Sequence, residues 1–428
     1  MYNLIEELTW RGMLHDTIPG TDELLKTEAP VRGYIGFDPT ADSLHIGNLA
    51  TIMLLVHFQR AGHKPFMLVG GGTGMIGDPS GKSDERKLLT EEQIRHNEKG
   101  IRNQLSHFLD FSDSPTGAVM VNNFDWISQI NMIDFLRDIG KHLTVNYMLA
   151  KDSVKTRIES GISFTEFSYQ LLQGYDFYFL FRTHNVKMQL GGSDQWGNIT
   201  TGTELIRRTG SGNAFALTTP LVTKSDGTKF GKSEGGNIWL DSEKTSPYQF
   251  YQFWVNVADD DIERFTKVFS LKTRNEIEQL MEQQKEAAHL RPMQYALAEE
   301  LTERIHGSAA LTQAKKASTL LFGKSTVDDL AAIDEKTLLQ VFDTIPKITI
   351  NKKDVDANLP VVELLTTLCD TTIFASKGEM RRLVKQNGLS INKVKVADSD
   401  APLSTPLLHN KYLLVQKGKK HYFLLQFA

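Results

Sequence analysis

Two short segments carry residues suited to a phosphate group. GFDPTADSLHIGN (36–48) joins a strand-like run to a helix-like one, with Pro39 breaking the continuity. His45 and Asn48 stand three apart near the start of that helix, on one face. Free N–H groups and the positive dipole end of a helix favour an anion there. His45 can donate to a phosphate oxygen, Thr40 can reach the same charge, and Gly47 admits a ligand close to the backbone. The second segment, KSDGTKFGKS (224–233), sets Lys229 and Lys232 three apart between glycine joints. Loops of this kind can close over a substrate, and their cations can meet charge developing on a leaving polyphosphate. Alone, the first segment is equally a capped helix and the second a solvated hairpin tip.

Three further segments add polar groups. GGGTGMIGDPSGK (70–82) follows a strand-like run and contains a literal GxGxxG, so a nicotinamide-dependent oxidoreductase stands as an alternative. Asp78-Pro79 interrupts the helix that such a site requires, and no strand-ending acid follows about 20 residues on. The same stretch suits close approach to a ligand, with Asp78 accepting from an ammonium and Lys82 and Arg86 lining a phosphate side. Ser163-Phe164-Thr165-Glu166 matches a capping box opening a helix. On it Tyr169, Gln173 and Asp176 fall at i, i+4 and i+7, one stripe carrying a hydroxyl, an amide and a carboxylate. Such a set suits a zwitterion with a polar side chain; a solvent-facing stripe is the plain alternative. GGSDQWGN (191–198) places Asp194 and Gln195 beside paired glycines, a pattern suited to ribose.

These residues need a scaffold, and the first 240 or so residues supply one. VRGYIGF (31–37) reads as a strand, LHIGNLATIMLLVHFQRAG (44–62) as a helix with Asp42 or Ser43 as N-cap, and KPFMLVGGG (64–72) as the next strand. Strand–helix–strand alternation predicts an α/β fold, a Rossmann-like parallel sheet covered by helices, over 1–247. After Pro247 long helical patterns predict a helical domain over 248–322, a linker region follows over 323–360, and helix then short β-like runs predict a small α+β domain over 361–428. The helix-like apolar stretch 126–149 serves as core or as an interface.

The chain has 428 residues with 40% hydrophobic and 23% charged side chains, which is a globular balance. Its single cysteine, Cys369, excludes an intrachain disulfide and a multi-cysteine zinc site, and fits a reducing cytoplasm. The N-terminus does not resemble a secretory signal, and no run of about 18 apolar residues predicts a membrane span. The net charge of −4 divides unevenly. Residues 361–428 hold ten Lys/Arg and five Asp/Glu, a net of +5, which leaves −9 on the first 360. A basic module on an acidic body suits a polyanion partner, so a pure RNA-binding protein is a further alternative.

Together, GFDPTADSLHIGN, SFTEFSYQLLQGYDF, GGSDQWGN and KFGKS resemble, in that order along the chain, the bacterial tyrosyl-tRNA synthetases, which are class I aminoacyl-tRNA synthetases. The stretch from about 361 resembles the S4-like RNA-binding domain of that family. The resemblance spans essentially the whole chain. It implies that Tyr34 and Asp176 contact the phenolic hydroxyl of tyrosine, that Asp78, Tyr169 and Gln173 hold its ammonium, and that Gln195 lies near its carboxylate. It implies Asp38, Gly192 and Asp194 at the adenylate phosphate and ribose, with Gly36, His45, Gly47, Asn48 and Lys232 also on the ATP side. Thr40, His45, Lys82, Arg86, Lys229 and Lys232 then meet the departing diphosphate. Two positions depart from the family pattern. Asn48 replaces a second histidine, which predicts retained activity with altered ATP affinity, and Ile35 replaces a frequent cysteine and cannot hydrogen-bond to ribose.

The reaction implied is attack of the tyrosine carboxylate on the α-phosphate of ATP, then transfer of tyrosine to a terminal ribose of tRNA. A carboxyl group with a pKa of about 3.5 is already ionised, so no general base is needed. Catalysis is positioning and stabilisation of polyphosphate charge. Mg²⁺ arrives with ATP, and no tightly bound cofactor or protein-held metal is expected. Phenylalanine is rejected because it leaves buried polar groups unpaired, a discrimination for which this family is itself the reference case. The expected partners are L-tyrosine, ATP, tRNA(Tyr) and a second copy of the chain in a homodimer, with no membrane.

Overall fold

RGYIGF has no polar face to give to water, and the structure places it at the centre of a sheet. The computed structural model describes residues 2–76, 89–151, 154–155, 161–228, 230–233, 236–322, 330–342, 345–356, 358–418 and 421–428. The described chain divides into two compact units, 1–245 with 254–305, and 246–253 with 306–428.

In the first unit five parallel strands lie in the order β3-β2-β1-β4-β5. They are β1 (Arg32–Phe37), β2 (Lys64–Val69), β3 (Val119–Asn122), β4 (Met188–Gly192) and β5 (Phe215–Thr219). All four pairings are parallel. Strands buried on both faces read as near-continuous apolar runs, and KPFMLV and MQLGG do so. The strand order reverses at β1, the position at which open α/β sheets hold ligands. There β1 and β4 pair only at Gly33–Met188 and Tyr34–Gln189, so their C-terminal ends part and leave a crevice.

Helices cover this sheet. Leu49–Arg60 buries nine of its twelve residues, as its nearly uninterrupted apolar sequence requires. The expected cap at Asp42 or Ser43 is not the one formed. A short 3₁₀ turn, Ile46–Asn48, precedes the α-helix and is capped by His45. Asp42 pairs instead with Lys244 at 2.8 Å, and the Ser43 hydroxyl accepts from Gln104 at 2.9 Å. The helix Phe164–His184 runs for 21 residues from the predicted start and packs along Trp196–Arg208. The stretch 126–149 is broken into short pieces, including Phe124–Ile127, Met132–Asp138 and Val145–Leu149. Helices expected over 248–322 are present at Pro247–Val255, Asp259–Phe269, Arg274–Glu286 and Pro292–Phe322, the last interrupted at Gly307 by a φ of 86° and ψ of 165°.

A two-stranded ribbon, β6 (Lys232–Ser233) with β7 (Gly236–Asn237), belongs to the first unit. The second unit holds a mixed sheet in the order β10-β9-β11-β12-β8. Its strands are β8 (Lys347–Ile350), β9 (Leu389–Ile391), β10 (Val394–Lys395), β11 (Tyr412–Lys417) and β12 (His421–Phe427). The short runs read as β-like near the C-terminus are these last four strands. β8, from within 323–360, lies parallel to β12 at the sheet edge. The helices Val361–Thr366 and Lys377–Lys385 close a core that includes Leu365, Phe374, Met380, Leu413 and Leu425. No helix among the described residues is long and apolar enough to cross a membrane.

Candidate functional site

The crevice between β1 and β4 opens into a cavity of about 500 Å³, within the range of small-molecule sites. Its wall is the end of β1 from Tyr34 to Asp38, the turn carrying Thr40, His45, Gly47 and Asn48, the end of β4 with Asp194 and Gln195 beyond it, and Tyr169, Gln173 and Asp176 of the helix Phe164–His184. Thirteen of the eighteen residues singled out from sequence line it: these eleven named positions together with Gly36 and Gly192. Asp78, Lys82, Arg86 and Lys229 lie outside the described residues, and for Lys232 only the backbone is described, in β6.

The inner end is apolar around a few polar atoms. Tyr34 is fully buried, its ring 5.3 Å edge-on to Phe177, within a cluster that includes Phe66, Leu68 and Trp126. Among the described residues its hydroxyl has no hydrogen-bond partner, nor do Gln173 Oε1 and Gln189 Oε1, which line the same cavity. A buried polar atom left so costs about 1–3 kcal/mol, which a polar ligand can recover. Asp176, 1% exposed, accepts from Asn123 Nδ2 and Trp126 Nε1, each at 2.8 Å. Burial raises its carboxyl to about 7 against the lowering effect of those two donors. Burial, and then the neighbouring Asp176 charge, push Tyr34 well above its ordinary value, so it is a hydroxyl donor at neutral pH.

Asn123 and Trp126 did not stand out in the sequence. Asn123 also donates to Thr73 Oγ1 at 2.9 Å and accepts from the Gly72 N–H at 2.7 Å, so the glycine-rich turn is tied to Asp176 through one side chain. Their only local signal is NNFDW directly after a strand, where polar side chains at a strand end face the crevice.

At the outer end His45 and Asn48 form a reciprocal cap. His45 Nδ1 accepts from the Gly47 N–H at 3.0 Å, and Asn48 Oδ1 accepts from the His45 N–H at 3.1 Å. A Cβ on Gly47 would lie 2.7 Å from the His45 ring, so any larger residue there would push the ring aside. Trp239 meets His45 edge-on at 5.8 Å, and the two backbones form a bridge. On the opposite wall a Cβ at Gly192 would lie 2.6 Å from Asp194 Oδ1. Gln195 donates to Asp194 at 3.4 Å and accepts from Asn198 at 3.1 Å. Ile35 is 3% exposed and adds apolar wall. Among the described residues no group of three or more His, Cys, Asp or Glu is placed to hold a metal.

The site therefore has a buried end matched to a hydroxyl-bearing ring and an outer end of helix-start N–H groups, a histidine and a carboxylate. Residues 26–323 match the model of the class I tRNA synthetases of the tryptophan and tyrosine group, and residues 337–425 match the C-terminal domain model of SYY-like tyrosine–tRNA ligases. The tyrosine–tRNA ligase of Cytophaga hutchinsonii is 59% identical over all of both chains, and that of Porphyromonas gingivalis 56% identical over 99% of each. A C-terminally truncated mitochondrial tyrosyl-tRNA synthetase of Aspergillus nidulans superimposes with a TM-score of 0.67 at 31% identity, over 75% of this chain and 95% of that one.

Proposed function

From the premise that the chain belongs to the class I tRNA synthetases of the tryptophan and tyrosine group, we propose how its own residues carry the reaction. The activity is that of a tyrosine–tRNA ligase: tyrosine and ATP give tyrosyl-adenylate and diphosphate, and tyrosine then passes to the terminal ribose of tRNA. The oxidoreductase and simple RNA-binding readings fall with that assignment.

The observation that carries the residue roles is the unpaired Tyr34 hydroxyl beside the buried Asp176 carboxylate. The phenol of tyrosine donates to Asp176 and accepts from Tyr34, so both polar groups are satisfied in one step. Phenylalanine leaves the Tyr34 hydroxyl unpaired and the buried Asp176 carboxylate with only Asn123 and Trp126. Gln173 and Tyr169, one and two turns nearer the start of the same helix, take the ammonium together with Asp78. Gln195 lies by the carboxylate, whose oxygen attacks the α-phosphate. Asp38, Gly36, Gly192 and Asp194 hold the nucleoside side. Thr40, His45, Gly47 and Asn48 receive the phosphates, with His45 donating from its second ring nitrogen because Nδ1 accepts from Gly47. Lys82, Arg86, Lys229 and Lys232 neutralise the diphosphate as it leaves. Mg²⁺ enters with ATP as part of the substrate, held by phosphates and water.

Two copies form the working unit. Met132, Ile133, Leu136 and Val145 are 47–68% exposed on short helices close together in sequence, apolar surface of the kind that a second copy can cover. Sedimentation at the mass of one chain would reject this. Residues 361–428, within the second unit, are the RNA-binding module, and the setting is the cytoplasm. The test of the site is ATP–diphosphate exchange with each of the twenty amino acids. Tyrosine alone should support it, and Asp176→Ala should lower it at least ~100-fold, since an interaction made to substrate and transition state is lost together with a buried partner. Exchange unchanged in that variant removes Asp176 from the site.

A further inference from the structure

The helix Asp259–Phe269 has no part in the reaction as described, yet one face of it grips the loop that carries KFGKS. Asp261, Arg264, Phe265 and Phe269 fall at i, i+3, i+4 and i+8, a single stripe. Asp261 is 3% exposed. Its two oxygens accept from the Ser225 N–H at 3.0 and 3.1 Å, and one accepts from the Ser225 hydroxyl at 3.2 Å. Arg264 pairs with Asp261 at 2.8 Å and donates to the Thr223 carbonyl. Five residues on, the Phe230 ring lies 4.9 Å from Phe265, 5.1 Å from Phe269 and 5.8 Å from Trp254.

The loop continues from this seat directly to the His45 turn. Gly231 has a φ of +95°, and a Cβ there would lie 3.1 Å from the Gly47 nitrogen. Ile238 donates to the Gly231 carbonyl at 3.3 Å, and Ile46 donates to the Ile238 carbonyl at 2.9 Å. The other end of the helix is fixed independently. Arg11, 2% exposed, donates to the carbonyls of Lys267, Ser270 and Lys272 at 2.6–2.8 Å. Arg60, the last residue of the helix that begins behind Asn48, donates to the Leu271 carbonyl at 3.0 Å. The seat is thus tied both to the His45 turn and to the far end of the helix Leu49–Arg60.

We propose that Asp261 is a positioning residue for amino-acid activation: by holding Ser225 it sets the register in which Phe230 and Gly231 meet the His45–Gly47 turn. A charge so buried is tolerated because every bond it makes is satisfied, and the same bonds commit the loop backbone to one place. A small misplacement of such a group costs up to about 100-fold in rate, while substrate affinity elsewhere is untouched. The inference rests on the reading that the KFGKS loop acts on the leaving diphosphate.

Asp261→Asn keeps the shape but turns one acceptor into a donor facing Ser225 and Arg264. Single-turnover formation of tyrosyl-adenylate should fall by about 10- to 100-fold, with the tyrosine Kd, measured without ATP, within about twofold of the parent. Ser225→Ala, which removes only the hydroxyl partner, should fall by about two- to fivefold and keeps the inference testable where Asp261→Asn does not fold. In a Lys232→Ala background Asp261→Asn should add less than about threefold, because coupled residues are non-additive. A parental rate in both variants overturns the inference, as does an equal loss of rate and tyrosine affinity, or full additivity with Lys232→Ala. A Lys232→Ala enzyme that activates tyrosine normally overturns the loop reading and this inference with it. Slow Lys232→Ala with a normal Asp261→Asn overturns this inference alone.

Discussion

Asp176 is the residue on which specificity turns, and its protonation makes the site sensitive to pH. Burial raises its carboxyl to about 7, so between its unfolded value near 3.8 and about 7 the free folded chain binds more protons than the unfolded one. This group's contribution to stability therefore declines as pH rises through that window and levels off above it. Binding has the opposite slope. The phenol of tyrosine donates best to the ionised carboxylate, so the tyrosine Kd should fall as pH rises from 5.5 to 8.5, with a midpoint near 7. Asn123→Ala removes a donor that favours the ion and should move that midpoint upward. Titration of tyrosine binding by fluorescence checks both, and a flat profile in the parent would contradict the linkage. The polar stripe of Tyr169, Gln173 and Asp176 was legible because helix periodicity alone puts the three on one face. Which face is buried was not, and neither were the partners Asn123 and Trp126. They lie about 50 residues upstream, and only the fold brings that strand end against the helix.

The elements succeed in positioning the site through close backbone packing that periodicity does not reveal. The helices Phe164–His184 and Trp196–Arg208 meet at Gly174 and Gly202. A Cβ on Gly202 would lie 2.8 Å from the Phe177 ring and 2.9 Å from Phe177 Cβ. Phe177 adjoins Asp176 and touches Tyr34, so separating the helices displaces the tyrosine end of the cavity. Gly202→Ala should destabilise the chain by about 1–3 kcal/mol and raise the tyrosine KM at least ~10-fold, while changing the ATP KM little. Melting curves with separate KM values decide it, and equal rises in both would mean general loosening. Strands β1 and β2 were readable because apolar runs bounded by turn residues admit little else. The helix start at His45 is not legible in the sequence for a physical reason: Asp42 and Ser43 are good caps by type, but each has a tertiary partner, Lys244 and Gln104, that the sequence does not pair with it. Asn48 has a structural part at this level, as the reciprocal cap that fixes the His45 backbone.

At the scale of the whole molecule the uneven charge gains a structural basis. Among the described residues beyond 360, four basic side chains are ion-paired: Lys377 with Glu363, Arg381 with Asp400, Lys411 with Glu335 and Lys417 with Glu379. The excess that makes this stretch +5 is therefore carried by others, including Arg382 and Lys385 of one helix. These suit a phosphate backbone, whose contacts make affinity fall steeply with salt. Removing the module tests this, and the choice of cut matters. A chain ending at 360 keeps β8 but loses β12, the strand paired with it from Lys347 to Ile350, and exposes a free edge prone to association. A chain ending at 323, the limit of the catalytic family match, avoids that edge. It should retain ATP–diphosphate exchange within about threefold, because every described residue lining the cavity lies between Tyr34 and Trp239. Charging of tRNA should fall at least ~10-fold at 150 mM salt and recover in part at low salt, with a shallower salt dependence than the full chain, since fewer phosphates are contacted. Charging kinetics over a salt series check this: a slope equal to that of the full chain would place the phosphate contacts in the first unit, and loss of exchange together with charging would mean that adenylate formation needs the second.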